Sequence, residues 1–177
     1  MTRASQQPTD RRQNRSRLAI IEAFNALVRE NRLENIRVPD ITARANVGRS
    51  TFYEHFANVT DVYLTAFARP LSILADSLTG QDNHAELVWL LDHLWENRHQ
   101  ARSAFSGRGR EQLSKLLLTL MNERAPLADD DQSLMRQLAR IDLCEGTMGL
   151  LRAWLINDVT APLAQVADTI MTRAAKP

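Results

Sequence analysis

Five side chains that can contact a nucleic acid fall within residues 49–55: Arg49, Ser50, Thr51, Tyr53 and His55. A guanidinium can bond O6 and N7 of guanine together, and a threonine can contact a thymine methyl group or a phosphate. An α-helix fits the major groove of B-DNA, where polar side chains on its exposed face reach base edges. These residue types therefore suit a surface that binds DNA.

The neighbouring residues predict the elements that would position this surface. Residues 38–56 have the pattern of two short helices around a three-residue turn. Pro39 suits the first position of a helix, because its fixed φ and missing N–H cost nothing there. Asn46 tolerates a positive φ, and Gly48 can cap the second helix without steric cost. The segment is predicted to be a helix-turn-helix; the alternative is an ordinary helical hairpin with a solvated polar face.

The second helix also has an apolar face. Phe52 and Phe56 are four residues apart and therefore share one side of the helix. We expect this side to pack on Ile41, Ala45 and Val47. The polar side chains of this helix are then left mainly pointing outward: Arg49, Ser50, Tyr53 and His55.

Charge is distributed unevenly along the chain. The net charge is +1, from 22 basic and 21 acidic residues, which says nothing about partners. Residues 1–58 contain ten arginines, no lysine and six acidic residues, whereas residues 59–177 contain twelve basic and fifteen acidic residues. Arginine suits bidentate contacts with phosphate and guanine better than lysine does. The positive charge is thus concentrated around the predicted helix-turn-helix.

Residues 36–64 resemble the DNA-binding domain of the tetracycline-repressor (TetR) family. The most specific part is the Thr-Phe-Tyr-Glu-His-Phe ending at residues 51–56. The order of elements also matches, since such proteins begin with one amphipathic helix. Here the helix predicted over residues 12–31 has one apolar face, formed by Ile20, Ile21, Phe24, Leu27 and Val28.

The resemblance implies that Tyr53 and His55 approach phosphates and that Arg49 reads a base. For Thr51, a local cap or backbone hydrogen bond is the alternative to a DNA contact. Where the family usually has a lysine, this chain has Val59, and arginines elsewhere are expected to supply the missing phosphate contact. The residues expected to contact DNA are Arg37, Arg44, Gly48, Arg49, Ser50, Thr51, Tyr53 and His55, with support from Arg11, Arg12 and Arg15.

The fold is expected to be all-α. A three-helix DNA-binding domain with an N-terminal arm would occupy residues 1–58, and a larger helical bundle for ligand binding and dimerisation would occupy residues 59–177. The helices predicted in the bundle cover residues 59–78 (interrupted at Pro70), 83–102, 111–123, 132–157 and a segment after Pro162, with a break at residues 106–109 and Asp131 as the cap of the fourth helix.

A stripe of small residues in the helix at 132–157 would let another helix approach closely. The resemblance implies that the last two helices form a dimer interface, and packing within one chain is the alternative. A dimer would present two reading helices to a palindromic operator. The interface residues expected are Gly146, Gly149, Leu150, Ala153, Trp154, Val166 and Ile170.

The resemblance further implies a ligand-responsive repressor. An effector bound in the bundle would favour a conformation whose two reading helices are wrongly spaced for the operator. Plain core packing is the alternative for each pocket candidate, and the effector's chemistry stays open. The pocket candidates are Trp89, Trp95, Phe105, Leu117, Met121 and Met148.

Other functions find little support in the residues. His93, Glu96 and His99 do not share one helical face, and no catalytic order of residues or cofactor motif stands out, so neither an enzyme nor a metal site is expected. Cys144 is expected to be a buried structural thiol. Without a signal peptide or a membrane-length apolar run, a cytoplasmic protein is expected. The main rival to a DNA-binding regulator is a helical protein-interaction module with a degenerate helix-turn-helix.

Overall fold

The computed structural model describes residues 7–127 and 133–174, and the ranges it describes contain helices and no strand. The expected all-α fold is confirmed. The helices are α1 (Gln7–Glu30), α2 (Val38–Ala45), α3 (Arg49–His55), α4 (Val59–Leu78), α5 (His84–Glu96), α6 (Arg98–Ala104), α7 (Gly107–Arg124), α8 (Ser133–Leu155) and α9 (Leu163–Ala174), with a short 3₁₀ turn at Leu33–Asn35. Asp131, the expected cap of α8, lies outside the described residues.

The chain forms two compact units, residues 1–66 and 67–177. The division lies inside α4 rather than after residue 58, where the sequence suggested it. The physical reason is that Val62 and Tyr63, in the first turns of α4, are buried in the N-terminal unit. The ring of Tyr63 meets Phe24 of α1 edge to face, with 6.2 Å between centroids.

The N-terminal unit has one apolar core. Because α1 is amphipathic, it buries Ile20 and Phe24 completely, and it packs along α2 and α3. Ile41 of α2 and Phe52 of α3 are also fully buried. The predicted apolar side of the second helix is therefore the side that faces the core.

The C-terminal unit is a helical bundle. In it α5 packs along α9, and α7 packs along α8. Polar contacts join the helices at their ends: Arg124 of α7 pairs with Asp76 of α4, and Arg102 of α6 donates to the carbonyl of Leu155 at 2.7 Å. None of the helices described is long and apolar enough to cross a membrane. The fully buried side chains of the bundle include Leu71, Leu74, Leu87, Leu90, Leu91, Leu113, Leu117, Leu151 and Ile170.

Three helix boundaries differ from expectation. Pro70 lies inside a continuous α4, because proline removes only one backbone donor and the buried side chains that follow it keep the helix packed. The helix expected over residues 83–102 is divided at Asn97, whose side-chain amide donates to the carbonyl of His93 at 2.9 Å. Ser106 precedes α7 directly, so the two following glycines start a helix instead of breaking one.

Candidate nucleic-acid interface

The turn between α2 and α3 follows from two residues. Asn46 ends α2 in the left-handed conformation, with φ 52° and ψ 47°. Its N–H donates to the carbonyl of Ala43 at 3.3 Å, and the N–H of Val47 donates to that of Thr42 at 3.1 Å. These bonds satisfy carbonyls that the end of α2 would leave unpaired. Gly48 then has an extended conformation and starts α3.

The outer side of α3 carries the polar residues expected there. Arg49 and Ser50 are exposed at the start of the helix, next to exposed Gly48, and Thr51 is half-buried. Phe52 on the opposite side is fully buried, which fixes the rotation of the helix. The first turn of α3 therefore presents a guanidinium and hydroxyl groups to solvent, as a helix that reads base edges requires.

Tyr53 and His55 differ in their accessibility. The side chain of Tyr53 is 52% exposed, and its ring stands perpendicular to Phe52 at 5.4 Å. His55 is half-buried against Phe56, and its Nε2 atom is enclosed without a hydrogen-bond partner. The Tyr53 hydroxyl is thus the more accessible donor, and His55 can reach a phosphate only through its other ring nitrogen.

Arg37 and Arg44 are exposed but already hold partners within the chain. Arg37 donates through Nη1 to the carbonyl of Glu34 at 2.5 Å, and its backbone N–H donates to Asp40 at 2.8 Å. Arg44 forms a bidentate pair with Glu30, at 2.7 and 2.9 Å. The hydrogen bond raises the pKa of Arg44 and lowers that of Glu30. Both arginines therefore brace α2 as well as carrying charge.

A second group of arginines lies on α1. The guanidinium of Arg17 lies 5.6 Å from the centre of the Phe56 ring, which links α1 to the end of α3. Arg11, Arg12 and Arg15 are exposed on the first turns of α1, so they belong to a helix that begins at Gln7 rather than to an arm. Sequence reasoning missed Arg17, although its position one turn before Ile20 and Ile21 could have indicated a contact with the core edge.

Comparison with known proteins adds to this geometry. No protein-family model matches the chain. A stretch of 78 residues is 35% identical to the uncharacterized HTH-type transcriptional regulator YxbF of Bacillus subtilis strain 168. That stretch is 44% of this chain and 20% of the Bacillus protein.

Solved structures match nearly the whole chain. A TetR transcriptional regulator from Streptococcus agalactiae 2603V is 21% identical, with a TM-score of 0.57 over 95% of this chain and 98% of its own. One from Rhodococcus sp. RHA1 is 14% identical, with a TM-score of 0.57 over 93% and 95%. The dihydroxyacetone kinase operon activator DhaS is 21% identical, with a TM-score of 0.52 over 90% and 93%. The chain has the TetR fold.

Within this TetR fold, most of the expected pocket residues are core. Phe105, Leu117 and Met148 are at most 1% exposed and pack in the core of the bundle. Trp95 is half-buried between the ring of Trp154, at 4.8 Å, and the guanidinium of Arg98. Core packing, the alternative that the sequence left open, accounts for the burial of these side chains, and their role in an effector pocket stays a prediction.

The remaining two pocket candidates lie in different places. Met121 lines a groove of about 730 Å³ at the end of the bundle. Trp89 is 51% exposed. Its ring stacks on His93 and receives the guanidinium of Arg69 at 5.4 Å. Trp89 therefore belongs to the outer surface of α5.

The residues expected at a dimer interface divide into two groups. Trp154, Val166 and Ile170 are at most 2% exposed, so they fill the core of their own chain and cannot meet a partner. Gly146 is covered by the guanidinium of Arg173 from α9, with which a Cβ would collide. For these four residues the structure corrects the expectation in favour of packing within the chain. Gly149, Leu150 and Ala153 remain half-buried.

The structure also reveals an apolar surface that the sequence reasoning missed. Four large side chains in the first half of α8 are between 43% and 68% exposed. They lie on the side of α8 that also carries Gly149, where a Cβ would meet nothing within 4 Å. The spacing of three and four residues within the predicted helix could have indicated them. We call this surface the α8 stripe; its members are Leu134, Met135, Leu138 and Ile141.

Two other groups are structural. Cys144 is fully buried, and burial raises the pKa of its thiol to about 12, so it is neutral near pH 7. His93 stacks on Trp89 and lies 3.4 Å from the Asn97 amide. In the part of the chain that the structure describes, no three His, Cys, Asp or Glu side chains are grouped as metal ligands would be.

Proposed function

We propose that this protein is a DNA-binding transcriptional regulator of the TetR family. The observation that carries the proposal is the outward face of α3, where Arg49, Ser50 and Tyr53 are exposed above a buried Phe52. The likeness to YxbF and to the TetR structures supports it. Arg49 is assigned to base readout, and Tyr53 with the arginines of α1 and α2 to phosphate contacts.

The regulator is proposed to act as a homodimer that pairs through α8. A soluble monomer rarely leaves several large apolar side chains exposed side by side, and the α8 stripe is such a group. Gly149 and Ala153 continue the same side of the helix with small residues, which lets a second α8 approach closely. A two-fold dimer would read a palindromic operator with half-sites about one helical turn apart.

We further propose that the regulator is a repressor and that binding of a small molecule releases it from DNA. An effector can release the operator only if it binds better to the conformation that binds DNA less well. DhaS, which shares the fold, is an operon activator by name, so the direction of regulation is a separate question from DNA binding.

Selection of bound fragments from genomic DNA tests the proposal. Purified protein is mixed with sheared DNA, bound fragments are sequenced, and one enriched site is assayed by fluorescence anisotropy. We expect an inverted repeat to be enriched and to bind at least about 10³-fold more tightly than unrelated DNA. Enrichment of no motif, together with equal affinity for all fragments, would instead support a helical interaction module.

A further inference from the structure

A groove of about 730 Å³ at the end of the bundle is lined by both apolar and charged side chains. Its lining comes from the ends of α4, α7 and α9 and the first half of α8. Leu78, Met121 and Leu143 supply apolar surface. Among the residues that the structure describes, three arginines and one aspartate are the ionisable side chains that line it: Arg136, Arg140, Arg173 and Asp142. The groove therefore combines apolar walls with an excess of positive charge.

Two of these arginines are held in place by the fold. Arg140 donates to the Asn122 side chain at 2.6 Å. Its partial burial lowers its pKa, because desolvation disfavours the charged form. The guanidinium of Arg173 rests on α8 at Gly146, where only a glycine leaves room for it. An anion in the groove would offset the cost of keeping these cations partly out of water.

We propose that this groove binds a small organic anion, a carboxylate or phosphate monoester with an apolar tail. Its volume lies within the range of about 300–1,000 Å³ that is usual for small-molecule sites. Arginine is the side chain best suited to bidentate recognition of carboxylate and phosphate. The binding site stands without reference to DNA, whereas its role as the effector site depends on the function proposed above.

Calorimetry on the intact 177-residue chain without DNA tests the site itself. The probes are octanoate and octyl phosphate, with 1-octanol as the uncharged molecule of equal tail length. We expect at least one anion to bind about tenfold or more tightly than 1-octanol, as charge-assisted hydrogen bonds require. Equal binding of anion and alcohol, or no binding of either anion up to about 1 mM, would overturn the proposal.

Variants then locate the site. Arg140→Gln and Arg173→Gln are each expected to weaken anion binding about tenfold, while Arg69→Gln, on the outer surface of α4, leaves it unchanged. Gly146→Ala is expected to weaken binding by displacing the Arg173 guanidinium. Circular dichroism checks that each variant is folded. Unchanged binding in both arginine variants would place the ligand elsewhere and refute the proposal.

A competing occupant is the chain's own acidic run at residues 129–131. If octanoate binds only after these three aspartates are changed to asparagine, the acidic run occupies the groove and the proposal is wrong. Because these measurements use no DNA, their failure leaves operator binding untouched. Failure of operator binding with intact anion binding would refute only the regulatory role.

Discussion

Arg49 is the residue on which sequence selectivity is expected to depend. It is exposed in the first turn of α3, whereas Arg12 is exposed on α1, away from that turn in sequence. Arg49→Ala should relax the preference at one base pair in each half-site by about 1–3 kcal/mol. Arg12→Ala should weaken binding to all sequences about equally and lower the salt slope by about one unit. Anisotropy with a set of single-base operator variants measures both effects, and an unchanged base preference in Arg49→Ala would contradict the assignment.

A substitution at Trp154 tests whether this side chain stabilises the core of its own chain. The sequence had placed it at a dimer interface, but it is only 2% exposed. Its indole N–H donates to the carbonyl of Ala161 at 3.1 Å, which fixes the connection between α8 and α9. Trp154→Phe keeps an aromatic ring but removes this donor, so the free energy of unfolding should fall by about 1–3 kcal/mol. Trp89→Phe, at a 51% exposed position, is the control and should change it by less than about 1 kcal/mol. Urea denaturation measures the free energy of unfolding of both variants. An equal decrease in the two variants would contradict the burial of Trp154 and the exposure of Trp89.

At the scale of the secondary-structure elements, local sequence patterns were enough to predict some helix boundaries and not others. The helices of the helix-turn-helix could be placed because Pro39, Asn46 and Gly48 act locally on the backbone. The division at Asn97 could not, because an asparagine within a helical pattern carries no strong stop signal. The exposure of Trp89 and the burial of Val166 depend on contacts between helices distant in sequence, which periodicity within one helix does not specify.

The same limit applies to the candidate site. The exposed position of Arg49 follows from the spacing of two phenylalanines and was predictable. The bidentate pair of Arg44 with Glu30 joins residues on different helices, so it needed the structure. The arginines of the groove are also separated in sequence, with Arg173 on α9 and Arg140 on α8, and no motif connects them.

At the scale of the helix, we predict that the α8 stripe forms the dimer interface. Leu138 is 52% exposed in the single chain, so Leu138→Glu should leave the fold intact. In a two-fold dimer the introduced carboxylates of both chains would be buried at the interface. Because burying an unpaired charge is costly, dimer affinity should fall at least about tenfold. Leu18→Glu, a matched change at a 49% exposed leucine on α1, should leave the dimer unaffected. Sedimentation velocity over a range of concentrations measures this, and an intact Leu138→Glu dimer would show that α8 is not the interface.

At the scale of the whole molecule, the proposed regulator combines a unit that reads DNA through α3 with a helical bundle that pairs through α8. Operator affinity then depends on both, because one α3 alone contacts only a half-site. Loss of the dimer should therefore reduce operator binding even when α3 is unaltered. This dependence separates the proposed regulator from a monomeric module whose helices serve only protein contacts.

The most direct test of the central claim is the salt dependence of DNA affinity. Anisotropy titrations of the selected operator between about 50 and 200 mM NaCl give the slope of log K against log salt. Phosphate contacts made by the arginines of α1 and α2 in both subunits predict a slope of about −5 or steeper, together with a preference for the operator over a scrambled duplex at each salt concentration. A slope near zero, or equal affinity for the operator and the scrambled duplex, would contradict the claim that α3 reads DNA.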